Sequence, residues 1–595
     1  MELFTQTARR HGSRPAVSDG RARITYDELD RYSDAFAGQL TARGIGPEDL
    51  IAVRLPRTAE LLAVLLGILK AGAAYIPIDT RHPADRADLM IRSTGAQLLV
   101  TDAERAEDFD PPEGCGVTVW GGIIGLPDFD GSPTAFPASG DAACVYFTSG
   151  STGRPKPILI EHRNVLAFVR NTGLPDIETD DRVSQSSSIA FDAFIFEVWC
   201  CFDAGAELVV LPSVRELLGL DLAQELRRHR ITVMFFPTMA FNQVVREDAE
   251  AFNTIRVLLV GGDVLSPAAC ADVLSSGFQG HLVNGYGPTE TTAMCFGYQV
   301  TETSLGAGHV PIGRPLSGVT AYILDGSGAP VPDGTVGELN VSGAGVARGY
   351  LGLPELTRER FLPDPFTGTG RMYATGDLVR RRADGLVDFV GRVDRQVKIR
   401  GYRVEPGEVE GLLVEHPLVR DAVVVPSGPG EDRRLVAVVV VREPIAPREL
   451  RTHLRLRLPD YMVPSEILVS ERIPENHNGK RDLAAVNRLV ERDTQRRDRY
   501  VEPAGDAEKY LARLWEELLL MDRIGADDDF FELGGHSLLA FRVQRGIERD
   551  LGANVLLDDV LVNSRLGDLA AVIDTLLDAA TTLPTLDSPA GKERI

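Results

Sequence analysis

The chain has 595 residues, 44% of them hydrophobic and 25% charged, which gives an ordinary globular balance and room for roughly three to five folded units. Its formal net charge of −23 argues against a nucleic-acid binder, which needs a basic face to meet phosphates, and against docking on an anionic membrane. An acidic enzyme of the cytoplasm is the starting expectation.

Residues 1–12, MELFTQTARRHG, contain no apolar stretch of the length a secretory signal needs. From about residue 10 to 390, helical patterns alternate with short apolar runs. Tyr26–Arg43 and Ala59–Ala71 read as helices, and Ala96–Val100, Leu208–Leu211 and Val257–Val260 as buried strands. The apolar run around Leu61–Leu69 is too short to span a bilayer. Helices alternating with buried strands predict an α/β layered body. A smaller unit follows, with strands around Asp421–Val425 and Leu435–Val441 and a helix at Pro447–Leu456. Residues 487–501, rich in Arg, Asp and Glu, read as a linker or an exposed helix.

The last unit, residues 506–580, is expected to be all-helical. Tyr510, Leu511, Leu514, Trp515, Leu518 and Leu519 make one apolar face at helical period, and Leu566, Leu569, Val572, Ile573 and Leu576 repeat it. The tail 581–595 is expected to be mobile. The six cysteines, Cys115, Cys144, Cys200, Cys201, Cys270 and Cys295, form no CxxC pair, so neither a zinc knuckle nor a disulfide framework is expected.

Four segments carry candidate chemistry. Thr148–Lys156 reads TSGSTGRPK: glycines let backbone N–H groups approach phosphate oxygens, and hydroxyls and a lysine add donors. Its spacing is not that of the GxxxxGK[ST] loop. Tyr286–Thr292 reads YGPTETT, where a Gly-Pro turn sets Glu290 just beyond a strand end, a carboxylate able to hold Mg²⁺. In YATGDL, Asp377 can accept from two ribose hydroxyls; in GRVDRQVKIRG, Arg392 can meet a phosphate or ribose. Taken singly, each is more often a solvated charge than a ligand.

Their order is more specific. LKAGAAYIPID (69–79), TSGSTGRPK, FDAFIFE (191–197), YGPTE, GELNVSGAGVARGYL (337–351), YATGDL, GRVDRQVKIRGYRVEPGEVE (391–410), LPDYMVP (458–464) and NGK (478–480) succeed one another over about residues 5–485. The series closely resembles the adenylation domains of nonribosomal peptide synthetases, within the acyl-adenylate-forming superfamily. The resemblance implies a large multi-sheet α/β core (1–393), a smaller α+β lid (394–485) turning about a hinge at Asp394, a linker (486–505), and then an all-α four-helix carrier (506–580). It implies that Thr148, Ser149, Gly150, Ser151, Thr152, Gly153 and Lys156 hold the pyrophosphate of ATP. Tyr286 would stack on adenine, with Asn284 and Gly262 near its edge and Gly287 and Thr289 in the same site. Asp377 would bind the ribose, Arg392 would assist, and Glu290 would ligate Mg²⁺. Lys398 and Gly401 would lie on the loop that faces the site for thioester formation. Lys480 matches the lid lysine; with Glu290 and Thr148 it makes up the implied catalytic set. Charge building on oxygens around the attacked α-phosphorus suits a lysine that arrives with a mobile lid. Three positions depart from the family pattern: Pro157 replaces a glycine, Ala374 a basic residue, and Leu483 an arginine, while the phosphate, ribose and lysine positions are kept.

Residues 527–539, DDDFFELGGHSLL, resemble the phosphopantetheine site of peptidyl carrier proteins, with Ser537 as the attachment point at a helix start. Asp529, Phe530, Phe531 and Leu533 would anchor the preceding loop. A hydrolase reading fails because Leu539 stands where a GxSxG elbow needs its second glycine. Asp192 matches the carboxylate that pairs with a substrate α-ammonium. Ala193, Phe196, Phe235, Leu259, Gly261, Gly285, Ala293 and Met294 match the remaining pocket positions, with Lys480 at the carboxylate end. This apolar set is similar to pockets for branched aliphatic amino acids: valine first, then isoleucine or 2-aminobutyrate. The expectation is a freestanding loading module using ATP, Mg²⁺ and 4'-phosphopantetheine. Its partners would be a phosphopantetheinyl transferase, condensation or tailoring enzymes acting in trans and, as in many relatives, an MbtH-like protein. The alternatives are an acyl-CoA ligase releasing a CoA thioester, and a non-enzymatic carrier fused to a dead synthetase body.

Overall fold

The computed structural model describes residues 2–581 apart from 108–109, 123–136, 151–153, 303–304, 306–308, 400, 429–432, 475–480, 497–500, 520–522, 532, 534 and 536. The chain divides into two compact units, residues 1–424 with 441–463, and residues 425–440 with 464–595. The division runs through the segment expected to form the lid, so residues 394–424 belong with the body.

The expected helices and strands of the body are present. Helix Tyr26–Ala42 starts at a capping box in which Thr25 and Glu28 satisfy each other's backbone N–H groups. Helix Ala59–Lys70 is capped by Thr58 and buried at every position but Glu60, as its unbroken apolar sequence requires. Its one buried charge, Lys70, is met by Asp30 at 2.5 Å and Asp34 at 2.6 Å. The predicted strands appear as Leu98–Thr101, Glu207–Val210 and Val257–Gly261.

Three sheets organise this unit. A nine-stranded sheet has at its centre the parallel strands Arg182–Gln185, Val233–Pro237, Val257–Gly261 and His281–Tyr286. A seven-stranded sheet carries strands Ala142–Thr148 and Lys156–Glu161 as an antiparallel pair, and a five-stranded sheet carries Arg371–Arg381 paired with Val387–Arg392. One large apolar cluster joins residues of all three sheets, including Tyr146, Phe235, Leu259 and Tyr373.

In the second unit, strands Arg434–Val441 and Glu466–Val469 run parallel, with Val436 opposite Glu466. Helix Leu483–Arg496 follows, with Val486 and Val490 buried, so the charge-rich stretch begins as a packed helix. Helices Asp506–Leu519, Ser537–Leu551, Leu557–Val562 and Leu566–Thr581 form the expected all-α carrier region. Its core joins Leu511, Trp515, Phe530, Val543, Ile547, Leu566, Leu569 and Ile573, the positions the helical periodicity selects. No helix among the described residues is long and apolar enough to cross a membrane.

Candidate active site

The phosphate-loop residues sit at the open end of a hairpin. Strands Ala142–Thr148 and Lys156–Glu161 pair Thr148 with Lys156, so the loop leaves and returns at one place. Only glycine fits at Gly150, where a Cβ would lie 1.8 Å from the Arg154 carbonyl oxygen. Thr148 Oγ1 is buried without a hydrogen-bond partner among the described residues, as a hydroxyl reserved for an oxygen-rich ligand would be. Ser151, Thr152 and Gly153 lie outside the described residues, and so does Lys480.

The segment after Asp394 packs on this loop. It forms strands Val397–Ile399 and Tyr402–Val404 and then helix Pro406–Glu415. Ser149 Oγ donates to the Arg403 carbonyl at 2.8 Å and accepts from Glu405 N at 2.9 Å. Gly150 N donates to Glu408 Oε2 at 3.0 Å, and Lys156 Nζ to Glu405 Oε1 at 3.2 Å. Gly401 lies over Gly262, where a Cβ would come within 3.3 Å of the Gly401 oxygen, and Lys398 Nζ is 5.9 Å from the Tyr286 ring centre.

Asp377 and Arg392 face each other across paired strands and form a salt bridge. Arg392 also donates to both carboxylate oxygens of Asp394, at 2.7 and 2.8 Å, so the ribose candidate and the hinge candidate share one guanidinium. The Tyr286 hydroxyl donates to the other oxygen of Asp377. A carboxylate has about four lone-pair sites, so these two bonds leave acceptor capacity for a ribose diol. Asn284 Nδ2 donates to the Pro311 carbonyl at 2.8 Å. Gly287 abuts Met294, whose Cα a Cβ there would approach to 2.6 Å.

Glu290 is fully buried. It accepts from Tyr350 OH at 2.8 Å and pairs with Arg403 at 3.0 Å. Burial pushes its carboxyl up, but Arg403, Lys156 and the Tyr350 hydrogen bond outweigh that and hold it below the usual range. No cluster of three metal-ligating side chains occurs among the described residues. A lone ionised carboxylate beside a phosphate loop nonetheless suits Mg²⁺, which takes one or two carboxylates and completes its shell with phosphates and water.

The pocket residues converge. Phe235 lies beside Leu259 on parallel strands, and Gly261 beside Gly285. A Cβ at Gly261 would come 2.7 Å from the Gly285 oxygen and 3.5 Å from the Phe235 ring; one at Gly285 would come 2.5 Å from Met294 Sδ and 3.3 Å from Leu259 Cδ1. Ala293 and the preceding Thr292 both hold positive φ, 66° and 62°, a conformation non-glycine residues rarely adopt. Thr292 Oγ1 donates to the Gly345 carbonyl at 2.8 Å, which fixes that turn.

Asp192 precedes the short helix Ala193–Ile195, which runs into a π-helical turn, Phe196–Cys200. Asp192 accepts from Thr289 Oγ1 at 2.5 Å and has no salt bridge among the described residues. Burial raises its carboxyl to about 6 against the Thr289 hydrogen bond, and Glu290 adds to the rise. Thr289, expected on the nucleotide, thus has its hydroxyl on the substrate side. Glu197, in the same π-helical turn, accepts from Ser186 N at 3.2 Å and Ser187 N at 3.1 Å, tying Asp192's segment to the end of strand Arg182–Gln185. Burial outweighs these bonds and lifts its carboxyl to about 7.

In the carrier, Ser537 opens helix Ser537–Leu551. Asp529 accepts from Phe531 N at 2.9 Å and Ser564 Oγ at 2.6 Å, while Phe530 packs at 4.9 Å on Trp515 and Leu533 joins the same core. Gly535 is held under Phe530, where a Cβ would lie 2.3 Å from the Phe530 oxygen.

The sequence reading missed Arg86, Tyr350, Arg403, Glu405 and Glu408. Four of these stand inside quoted motifs, but their partners lie on other elements. Only the three-dimensional pairing, such as Arg86 with Glu408 at 3.0 Å, reveals them.

A multi-sheet α/β body with a phosphate-loop hairpin, followed by a helical unit with a serine at a helix start, defines an adenylate-forming ligase with an attached carrier domain. Residues 4–351 match the AMP-binding enzyme family, residues 408–480 the AMP-binding enzyme C-terminal domain, and residues 509–573 the phosphopantetheine attachment site. The chain belongs to the AMP-binding enzyme family. It is 39% identical over 587 residues to malpibaldin synthetase of Mortierella alpina and 37% identical over 573 residues to gramicidin S synthase 2 of Brevibacillus brevis, each alignment covering 96% of this chain. It spans only 10% and 13% of those relatives' lengths. Among solved structures, holo-PA1221, an NRPS protein containing adenylation and PCP domains bound to a vinylsulfonamide inhibitor, matches with a TM-score of 0.81 and 28% identity over 97% of this chain and 96% of that one. The artificially fused adenylation–PCP di-domain NpsA-ThdA from Klebsiella oxytoca matches with a TM-score of 0.71 and 27% identity over 83% and 96%.

Proposed function

We propose that the chain activates an α-amino acid with ATP as the aminoacyl adenylate and loads it as a thioester onto a phosphopantetheine arm at its own Ser537. Asp192 carries this reading. A buried carboxylate with a hydroxyl but no cation beside it, next to an otherwise apolar pocket, lacks the partner a buried charge requires. An α-ammonium supplies that partner; a fatty or aryl acid does not.

In this reading a substrate carboxylate oxygen attacks the α-phosphorus, the bond from that phosphorus to the bridging oxygen breaks, and pyrophosphate leaves. Thr148, Ser149, Gly150 and Lys156, with Ser151, Thr152 and Gly153, hold the leaving group. Asp377 takes the ribose hydroxyls and Arg392 orients it. Tyr286 stacks on adenine, with Asn284, Gly262 and Gly287 about it. Thr289 positions Asp192. Glu290 is the protein ligand for Mg²⁺, which neutralises phosphate charge when bound. Lys480 adds positive charge at the α-phosphorus. Asp394 is the hinge, and Lys398 and Gly401 belong to the loop facing the site in the second half-reaction. There the arm supplies the thiol, AMP leaves, and tethering keeps the carrier at high effective concentration. The proposed division is core 1–393, lid 394–485, linker 486–505 and carrier 506–580.

The walls Phe196, Phe235, Leu259 and Met294 offer no side-chain hydrogen bond, so a polar substrate would bury unpaired groups at about 1–3 kcal/mol each. Valine fits best, then isoleucine or 2-aminobutyrate. The chain then acts as a loading module that hands its cargo to condensation or tailoring enzymes, with a phosphopantetheinyl transferase upstream and an MbtH-like protein as a candidate activator. Intact-protein mass spectrometry of the phosphopantetheinylated chain, given ATP and mixed amino acids, tests this. A valyl mass on the arm is expected; no acyl mass and no amino-acid-dependent ATP–pyrophosphate exchange would overturn it.

A further inference from the structure

The loop proposed to hold pyrophosphate is already satisfied from within the chain. Glu408 takes the Gly150 N–H and is itself held by Arg86 at 3.0 Å; both side chains are almost wholly buried. Glu405 takes the Lys156 ammonium at 3.2 Å and also accepts from Gln396. Ser149 is spanned by the backbone on both sides of Val404, donating to the Arg403 carbonyl and accepting from Glu405 N. On the metal side, Arg403 pairs with Glu290, the carboxylate proposed for Mg²⁺. One stretch of six residues therefore presents a cation to the metal ligand and two carboxylates to the phosphate donors.

We propose that residues 403–408 carry an internal copy of the charge pattern of magnesium pyrophosphate, with Arg403 standing in for the cation and Glu405 and Glu408 for the anion. The proposal rests on the reading of Thr148–Lys156 as the pyrophosphate loop. Its physical ground is the cost of burying unpaired charge. When pyrophosphate departs, Lys156, the loop N–H groups and Glu290 would otherwise be left in a dry site without partners. The segment supplies those partners only where pyrophosphate is absent, because both use the same donors. Binding of one therefore opposes docking of the other, and by linkage the opposition is reciprocal. Pyrophosphate release and docking of the segment become a single exchange. The adenylate is committed to acyl transfer when the glutamates replace the phosphates, and added pyrophosphate reverses the exchange.

Glu405→Gln and Glu408→Gln keep side-chain shape and remove charge, and they probe the two contacts independently. Each full-length variant is assayed for ATP–pyrophosphate exchange and, after phosphopantetheinylation, for single-turnover loading of Ser537 by intact mass with increasing pyrophosphate. Loss of one charge-assisted hydrogen bond should lower the pyrophosphate concentration giving half-maximal exchange by about tenfold and slow loading by a similar factor. Loading by the unaltered chain should be inhibited by pyrophosphate, and loading by the variants at lower concentration. Opposite movement of the two half-reactions is the signature, because a variant that merely destabilises the fold slows both. Unchanged pyrophosphate dependence, or a parallel fall of exchange and loading with a lowered unfolding midpoint, overturns the proposal. Absence of exchange in the unaltered chain overturns the reading of the loop as well.

Discussion

Asp192→Asn is the sharpest test of the amino-acid reading. The change keeps the volume and an oxygen for the Thr289 hydroxyl, now 2.5 Å from Asp192 Oδ2, and removes only the charge. Truncating one member of a buried charge pair costs about 2–5 kcal/mol, or roughly thirty- to several-thousandfold in kcat/KM for the amino acid. The KM for ATP should move little. The structure also sets a pH signature. The Asp192 carboxyl is raised to about 6, so it is ionised above that pH and neutral below it. In the free enzyme kcat/KM for the amino acid should fall toward tenfold per pH unit as pH drops through about 6, and this limb should vanish in the Asn variant. Isovalerate, which is valine without its ammonium, should be a poor substrate of the unaltered chain and should lose that disadvantage in the variant. ATP–pyrophosphate exchange measures all three. An unchanged KM for valine, or a low-pH limb that survives the substitution, would refute the assignment of Asp192 to the ammonium.

Gly285→Ala places a methyl 2.5 Å from Met294 Sδ and 3.3 Å from Leu259 Cδ1, so the methionine must give way into the pocket. We expect valine to lose about 1–3 kcal/mol of kcat/KM relative to alanine in exchange assays across the aliphatic series. Ser537→Ala should leave exchange intact and abolish every protein-bound acyl mass. Continued release of a free CoA thioester by that variant would instead indicate a CoA ligase. Glu197 gives a stability prediction. Its carboxyl is raised from 4.5 to about 7 by burial, so the folded state keeps a proton that the unfolded chain releases. Its contribution is full below about pH 4.5 and is lost as pH rises through about 7, a change on the order of 3 kcal/mol. Denaturant midpoints measured across that window should lose this slope in Glu197→Gln.

Elements with local causes were legible in the sequence. The capping box at Thr25 and Glu28, the unbroken apolar run Ala59–Lys70 and the helical face of Leu511 and Trp515 each announce their structure within a dozen residues. The pocket was legible as a set of positions, and strand register explains why it coheres: Phe235 with Leu259 and Gly261 with Gly285 are neighbours because parallel strands align them. The compensation of charge was not legible. Glu290 meets Arg403 from 113 residues away and Glu408 meets Arg86 from 322, and a carboxylate in a motif gives no sign of which cation it will meet. The π-helical turn after Asp192 was also beyond reach, since no periodicity distinguishes it from an ordinary helix.

The two buried carboxylates of the site differ in a way that bears on the reaction order. Glu290 carries an internal cation and is held low; Asp192 carries none and is held high. Under the proposed roles, the half of the site that serves magnesium and pyrophosphate is closed on itself, while the half that serves the amino group still lacks its charge partner. A resting enzyme awaiting ATP has no need to occupy its own phosphate loop. An enzyme that has released pyrophosphate and still holds an aminoacyl group needs this division: phosphate donors neutralised from within, and Asp192 left for the ammonium of the cargo. The arrangement corresponds to the second half-reaction, the stage at which Ser537 receives the acyl group.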